Sequence, residues 1–141
     1  MTGGAALNIV LTDKEFRRLL DMVYIGNWVL NSARAGDRFE DYDIVQEKLF
    51  SLCAQNGMDS LVQLWRGHVF PSRAYEDGGI HEAIADYEDA VFFDILAEEL
   101  ARRDMIQLGE NDNDLAALSL RIEEYMSEFE KSGIDNLRLD T

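Results

Sequence analysis

Apolar residues return at intervals of three and four along most of this chain: Phe16, Leu19, Leu20 and Val23; Val45, Leu49 and Leu52; Ile80, Ala83, Ile84 and Tyr87; Leu115, Leu118, Ile122, Tyr125 and Phe129. That spacing lines one face of an α-helix, and such faces must be buried against one another. The expected fold is mainly α, a compact bundle of five or six helices in a single domain over residues 1–141, with residues 134–141 a mobile tail. At 141 residues, 47% of them apolar, a chain hides roughly two thirds of its unfolded surface and needs neither metal nor disulfide to hold it.

Local signals divide the chain. Leu7 to Leu11 is a short β-branched run that reads as a strand. Thr12 with Glu15 forms a capping box and starts the first helix. From Met22 to Leu30 that helix is apolar all round, which calls for enclosure by the rest of the chain or by another subunit, and Gly26 suggests the close approach of another backbone. A second helix runs from Asp41 or Asp43 to Gln55. A third is expected around Leu61, Val62, Leu64 and Trp65. The least regular stretch, Gly67 to Gly79, holds the sole proline, Pro71. Beyond it the helical spacing allows one bent helix or two, because Asp86 to Asp89 could cap a new one. Met105 to Leu108 reads as a second strand, so that a minor two-stranded β element would join residues 7–11 and 105–108. Glu110 to Asp114 is a polar loop and cap before a coiled-coil-like seam that ends at Gly133.

Charge narrows the function. Thirteen Lys and Arg face 28 Asp and Glu, a net −15. Residues 1–70 carry net −2 and residues 71–141 net −13. Such a field repels phosphates, so no nucleic-acid partner is expected. No apolar stretch reaches the roughly 18 to 20 residues of a membrane span, and no membrane partner is expected. No basic region precedes Leu7–Leu11, so no secretory signal is read. The lone thiol, Cys53, fits a reducing cytoplasm and a buried, inert role.

Reactive groups are few. The histidines are His68 and His81. His81, Glu82 and Asp86 share one turn and would supply donors for a carboxylate-rich metal site if another helix added an acid; an acidic, solvated first turn is the preferred reading. Asp112-Asn113-Asp114 lacks the EF-hand glycine, with Ala117 at the sixth position, and reads as a helix cap. Glu98 with Arg102, and Glu99 with Arg103, are i,i+4 pairs of a structural kind. Glu124 and Glu128 read as a solvated face. No serine stands in Gly-x-Ser-x-Gly and no phosphate-binding glycine loop is present.

Arg66, His68 and Arg73, flanked by Phe70 and Tyr75, form the one basic and aromatic group, suited to an anionic or ring-bearing ligand or to internal ion pairs. The ligand-contact candidates are Arg66, His68, Arg73 and Tyr75. Tyr24 and Trp28, at i,i+4, could line a pocket or a dimer patch, and with Leu118 and Tyr125 they are the interface candidates. The expected function is a non-enzymatic, cytoplasmic, acidic interaction or regulatory protein. It is expected to form a homodimer; the acidic surface is read first as a means of solubility and second as a surface for a basic protein partner, and no cofactor is called for. The alternatives are a metal-dependent hydrolase using His81, Glu82 and Asp86, and an acidic mimic that occupies a basic protein.

Overall fold

The computed structural model describes residues 4–140. Helix α1 (Asp13–Asn31) and helix α2 (Glu40–Phe50) are followed by strands β1 (Val62–Trp65) and β2 (His68–Pro71), a one-turn helix α3 (Arg73–Tyr75), and helices α4 (His81–Gln107) and α5 (Leu115–Ser132). The fold is mainly α with a minor two-stranded antiparallel sheet, and four of its helices have eleven residues or more. No helix among the described residues is long and apolar enough to cross a membrane. The contacts gather into two compact units, Met1–Ile84 and Ala85–Thr141.

In the first unit α1 starts as its residues dictate. Thr12 Oγ1 accepts from the Glu15 N–H at 3.1 Å, and Glu15 Oε1 accepts from the Thr12 N–H at 2.9 Å. The inward stripe Phe16, Leu20 and Tyr24 then packs with Phe50, Cys53, Tyr75 and Ile84. Tyr75 sits edge-on to both Tyr24 and Phe50, with ring centres 5.3 and 5.1 Å away.

The sheet lies elsewhere than expected. Residues 7–11 run without strand pairing, and residues 105–107 are the last turn of α4. Met105 is spent inside the second unit; its short apolar run continues a helix face rather than starting a strand. The segment expected as a third helix is instead the hairpin. Val62, Gln63, Leu64 and Trp65 pair with Pro71, Phe70, Val69 and His68. Between them stand Arg66 and Gly67, both at positive φ, 52° and 79°, the backbone of a two-residue type I′ loop whose twist suits the flanking strands.

Three helix expectations also change. Helix α2 ends at Phe50 rather than Gln55, and its buried contribution comes from Phe50 while Val45 and Leu52 face outward. A Cβ at Gly26 would meet nothing within 4 Å, so no backbone approaches it. Met22 and Val29 stay exposed, so the first unit does not itself enclose the over-apolar half of α1. After a wide turn over Glu76–Ile80, with Gly79 at φ 110°, α4 is one continuous helix that carries Asp86 to Asp89 in its interior.

In the second unit Ala97, Ala101 and Met105 are fully buried, the last two against Leu118, with Ile122 and Tyr125 at the margin. Small side chains on α4 let the larger α5 seam residues seat against them. Asp114 caps α5 by accepting from the Ala117 N–H at 3.2 Å. Phe129 closes the seam beside Phe93, ring centres 5.2 Å apart. Glu98 pairs with Arg102 at 3.1 Å, but Arg103 turns to Asp104 at 2.7 Å instead of Glu99.

Candidate functional site

A cleft of about 640 Å³ opens in the first unit between α1, α2 and the hairpin, and its lining runs from Tyr24 and Trp28 to Phe70 and Glu76. Its floor is built from amides. Asn27 and Asn31, one turn apart on the inward face of α1, are both buried. Asn31 Nδ2 donates to Asn27 Oδ1 at 2.6 Å and to the Phe39 carbonyl at 3.0 Å, while its Oδ1 accepts from the Phe39 N–H at 2.7 Å. A side chain amide thus pairs with a peptide group as a neighbouring strand would, which pins the end of the α1–α2 connection. Asn27 Nδ2 in turn donates to Asp43 Oδ1 and Gln46 Oε1 at 3.0 and 3.1 Å, tying α2 to α1.

The wall is acidic and each acid is held by a partner. Arg38 forks onto Asp43 at 2.8 and 3.0 Å. That bond, with the one from Asn27, keeps the Asp43 carboxyl below its ordinary range. Glu47 accepts from the Val69 N–H at 3.0 Å and meets His68 Nδ1 at 3.1 Å; the backbone bond first, then His68, lowers its pKa. Glu76 accepts from the Tyr24 hydroxyl at 2.8 Å, and His81 Nε2 lies 2.7 Å from the same oxygen. Since the phenol has one proton and gives it to Glu76, its oxygen is left to accept from His81 Nε2–H. Burial first, and then donation to Glu76, push the Tyr24 pKa well above the ordinary phenol range. The Trp28 ring stands 4.7 Å from His81 and 6.4 Å from Tyr24.

The expected basic and aromatic group is dispersed. His68 and Phe70 line the cleft. Arg66 lies over the Trp65 ring at 4.4 Å, and Arg73 pairs loosely with Asp77 at 3.6 Å. Tyr75 is a core residue whose hydroxyl donates to Asp21 at 2.8 Å. Tyr24 and Trp28 come to the cleft together. Leu118 is buried in the second unit, and half-buried Tyr125 donates to Asp104. Among the metal candidates His81 is engaged with Tyr24, while Glu82 and Asp86 are exposed. No group of three or more His, Cys, Asp or Glu positioned for a metal occurs among the described residues.

Asn27, Asn31, Asp43, Gln46 and Glu47 carry the site, and none is singled out by sequence motifs. The available signal was the Asn27–Asn31 pair at i,i+4, two amides interrupting the most apolar part of a helix. In comparisons with known proteins the chain matches no family model, no curated protein and no solved structure.

Proposed function

We propose that this chain is a non-enzymatic, cytoplasmic interaction protein whose first unit receives a basic group of a partner protein in its cleft. The observation that carries the reading is the pairing of three carboxylates, Asp43, Glu47 and Glu76, with three aromatic rings, Tyr24, Trp28 and Phe70, around one concavity. Aromatic faces and carboxylates together suit a guanidinium or ammonium group, the ring through its negative face and the acid through charge-assisted hydrogen bonds. Asp43 and Glu47 are held ionised rather than poised to exchange protons, which favours capture of a cation over acid–base chemistry. The net −15 of the chain adds long-range attraction for a basic surface.

Fluorescence titration with an Arg-rich peptide tests this. In a Trp65→Phe background the remaining tryptophan is Trp28, so its emission reports the cleft directly. Glu47→Gln is expected to weaken binding severalfold, while Glu124→Gln on α5, which removes the same charge elsewhere, leaves it unchanged at moderate salt. Equal losses from both substitutions would show that net charge alone attracts the peptide, and the cleft reading would fail.

A further inference from the structure

Residues 7–11 form neither helix nor strand and touch the fold only at their end. Leu7, Ile9 and Val10 are 98%, 78% and 96% exposed, while Leu11 packs against the first unit's core. The run carries no charge and no proline. In an extended backbone Leu7, Ile9 and Leu11 share one side, so one face of this arm is entirely apolar. Thr12 is fixed by its reciprocal bonds with Glu15, so the arm leaves the core at a set point and stands away from its own chain.

The hairpin offers the matching vacancy on one edge only. With a two-residue loop, Trp65–His68 and Gln63–Phe70 are the mutually hydrogen-bonded pairs, which turns the backbone groups of Leu64 and Val69 outward. On the β2 edge the Val69 N–H is met by Glu47, and Pro71 has no N–H to offer; both devices block strand addition. On the β1 edge the Val62 N–H is taken by the Asp59 carbonyl, but Leu64 has no such cover among the described residues, and the Leu64 and Trp65 side chains are 75% and 54% exposed. A two-stranded hairpin is itself marginal and gains from a third strand.

We infer that residues 7–11 of one copy add as a third strand to the β1 edge of a second copy, and that the exchange is reciprocal. Leu7 and Ile9 then lie beside Val62 and Leu64 on the apolar side, and Val10 falls on the side of Trp65. Taking about 150 Å² for a fully exposed aliphatic side chain and about 200 Å² for Trp, the arm and the edge of each copy hold about 600 Å² of apolar surface. Complete burial of the side chains of two arms and two edges would hide about 1,200 Å², the lower bound of stable interfaces, to which the paired backbone adds. Neither the arm nor Leu64 lines the cleft, so dimer formation and peptide binding are separable.

The test is the mass of the full chain by light scattering from micromolar to millimolar concentration, for the natural sequence and for Ile9→Pro, which removes a ladder donor outside the folded core. A dimer that Ile9→Pro turns into a monomer with an unchanged circular dichroism spectrum is expected. In a mixture of Ile9→Cys and Leu64→Cys chains, a short bis-maleimide should join unlike chains in preference to like ones. A monomer at every concentration overturns the inference, as does a dimer that survives Ile9→Pro. So does linkage within one chain of the doubly substituted variant at dilution, which would show the arm folding onto its own hairpin.

Discussion

Asn31→Ala tests whether the amide floor holds the first unit together. Asn31 is 1% exposed and makes three side-chain hydrogen bonds, two of them to the Phe39 peptide group and one to Asn27. Each such bond contributes about 1 kcal/mol net, and a partner left without water costs about 1 to 3 kcal/mol. Asn31 also borders the cleft, so water can reach part of what truncation exposes, and the losses should fall near the lower figure for each partner. The expected cost is about 3 kcal/mol. Urea unfolding followed by Trp28 emission, in the Trp65→Phe background, measures it. The partner substitution Asn27→Ala should couple, with the double variant losing about 1 kcal/mol less than the two single losses combined. Asn31→Asp is a sharper probe. It keeps the oxygen that accepts from the Phe39 N–H but sets a second oxygen against Asn27 Oδ1 and the Phe39 carbonyl, so it should be at least as damaging as alanine at neutral pH and recover on acidification. A loss under about 0.5 kcal/mol for Asn31→Ala, or no coupling to Asn27, would refute the claim that these amides fasten α2 to α1.

Further consequences can be checked separately. Thr12→Ala removes one half of the capping box and should cost about 1 kcal/mol in chemical denaturation; no change would mean the arm, not the cap, fixes the start of α1. Cys53 is fully buried and burial pushes its thiol pKa up, so it should react with a disulfide reagent far more slowly in the native protein than in urea, and prompt native labelling would contradict its place in the core. Asp43 has a folded pKa below its unfolded one, so its contribution to stability is complete above the ordinary carboxyl range near pH 4 and is lost as pH falls through the lower, folded value. Arg38→Gln should therefore flatten the acid limb of the stability curve, and an unchanged limb would remove Arg38 as its cause.

What the sequence discloses is what neighbours along the chain decide. The Thr12–Glu15 box and the Asp114 cap need only three residues' separation, and both form. Leu118 and Phe129 recur at helical spacing and are buried with it. The hairpin is harder to see because Leu61, Val62, Leu64 and Trp65 fit either period when so few residues are sampled. The deciding signal is Gly67, which takes the positive φ of a tight loop freely, while Arg66 before it holds φ 52° against the ordinary preference of its side chain. Met105 looks like a strand residue only until α5 is known to supply Leu118 against it. Leu7 to Leu11 has the composition of a strand, but local preference names no pairing partner. The cleft is least legible of all: Asn27 meets Asp43 and Gln46, and Glu47 meets Val69, only because α2 and the hairpin return to α1.

Glu47 joins the two surfaces, and this determines how each must be probed. Its carboxylate accepts from the Val69 N–H on the β2 edge and from His68, and it also faces the cleft. A carboxylate has about four lone-pair directions, so a cation can be received without displacing the backbone bond. Glutamine in its place keeps one oxygen for the Val69 N–H and removes only the charge, whereas alanine exposes the β2 edge as well. Glu47→Gln should therefore lower affinity for a basic peptide and leave the oligomeric state alone. Glu47→Ala should do both, weakening the peptide and freeing a second hairpin edge to take up an arm or to aggregate. If the two variants behave alike in light scattering, Glu47 does not guard the β2 edge, and the choice of the β1 edge as the one open to a second copy loses its physical basis.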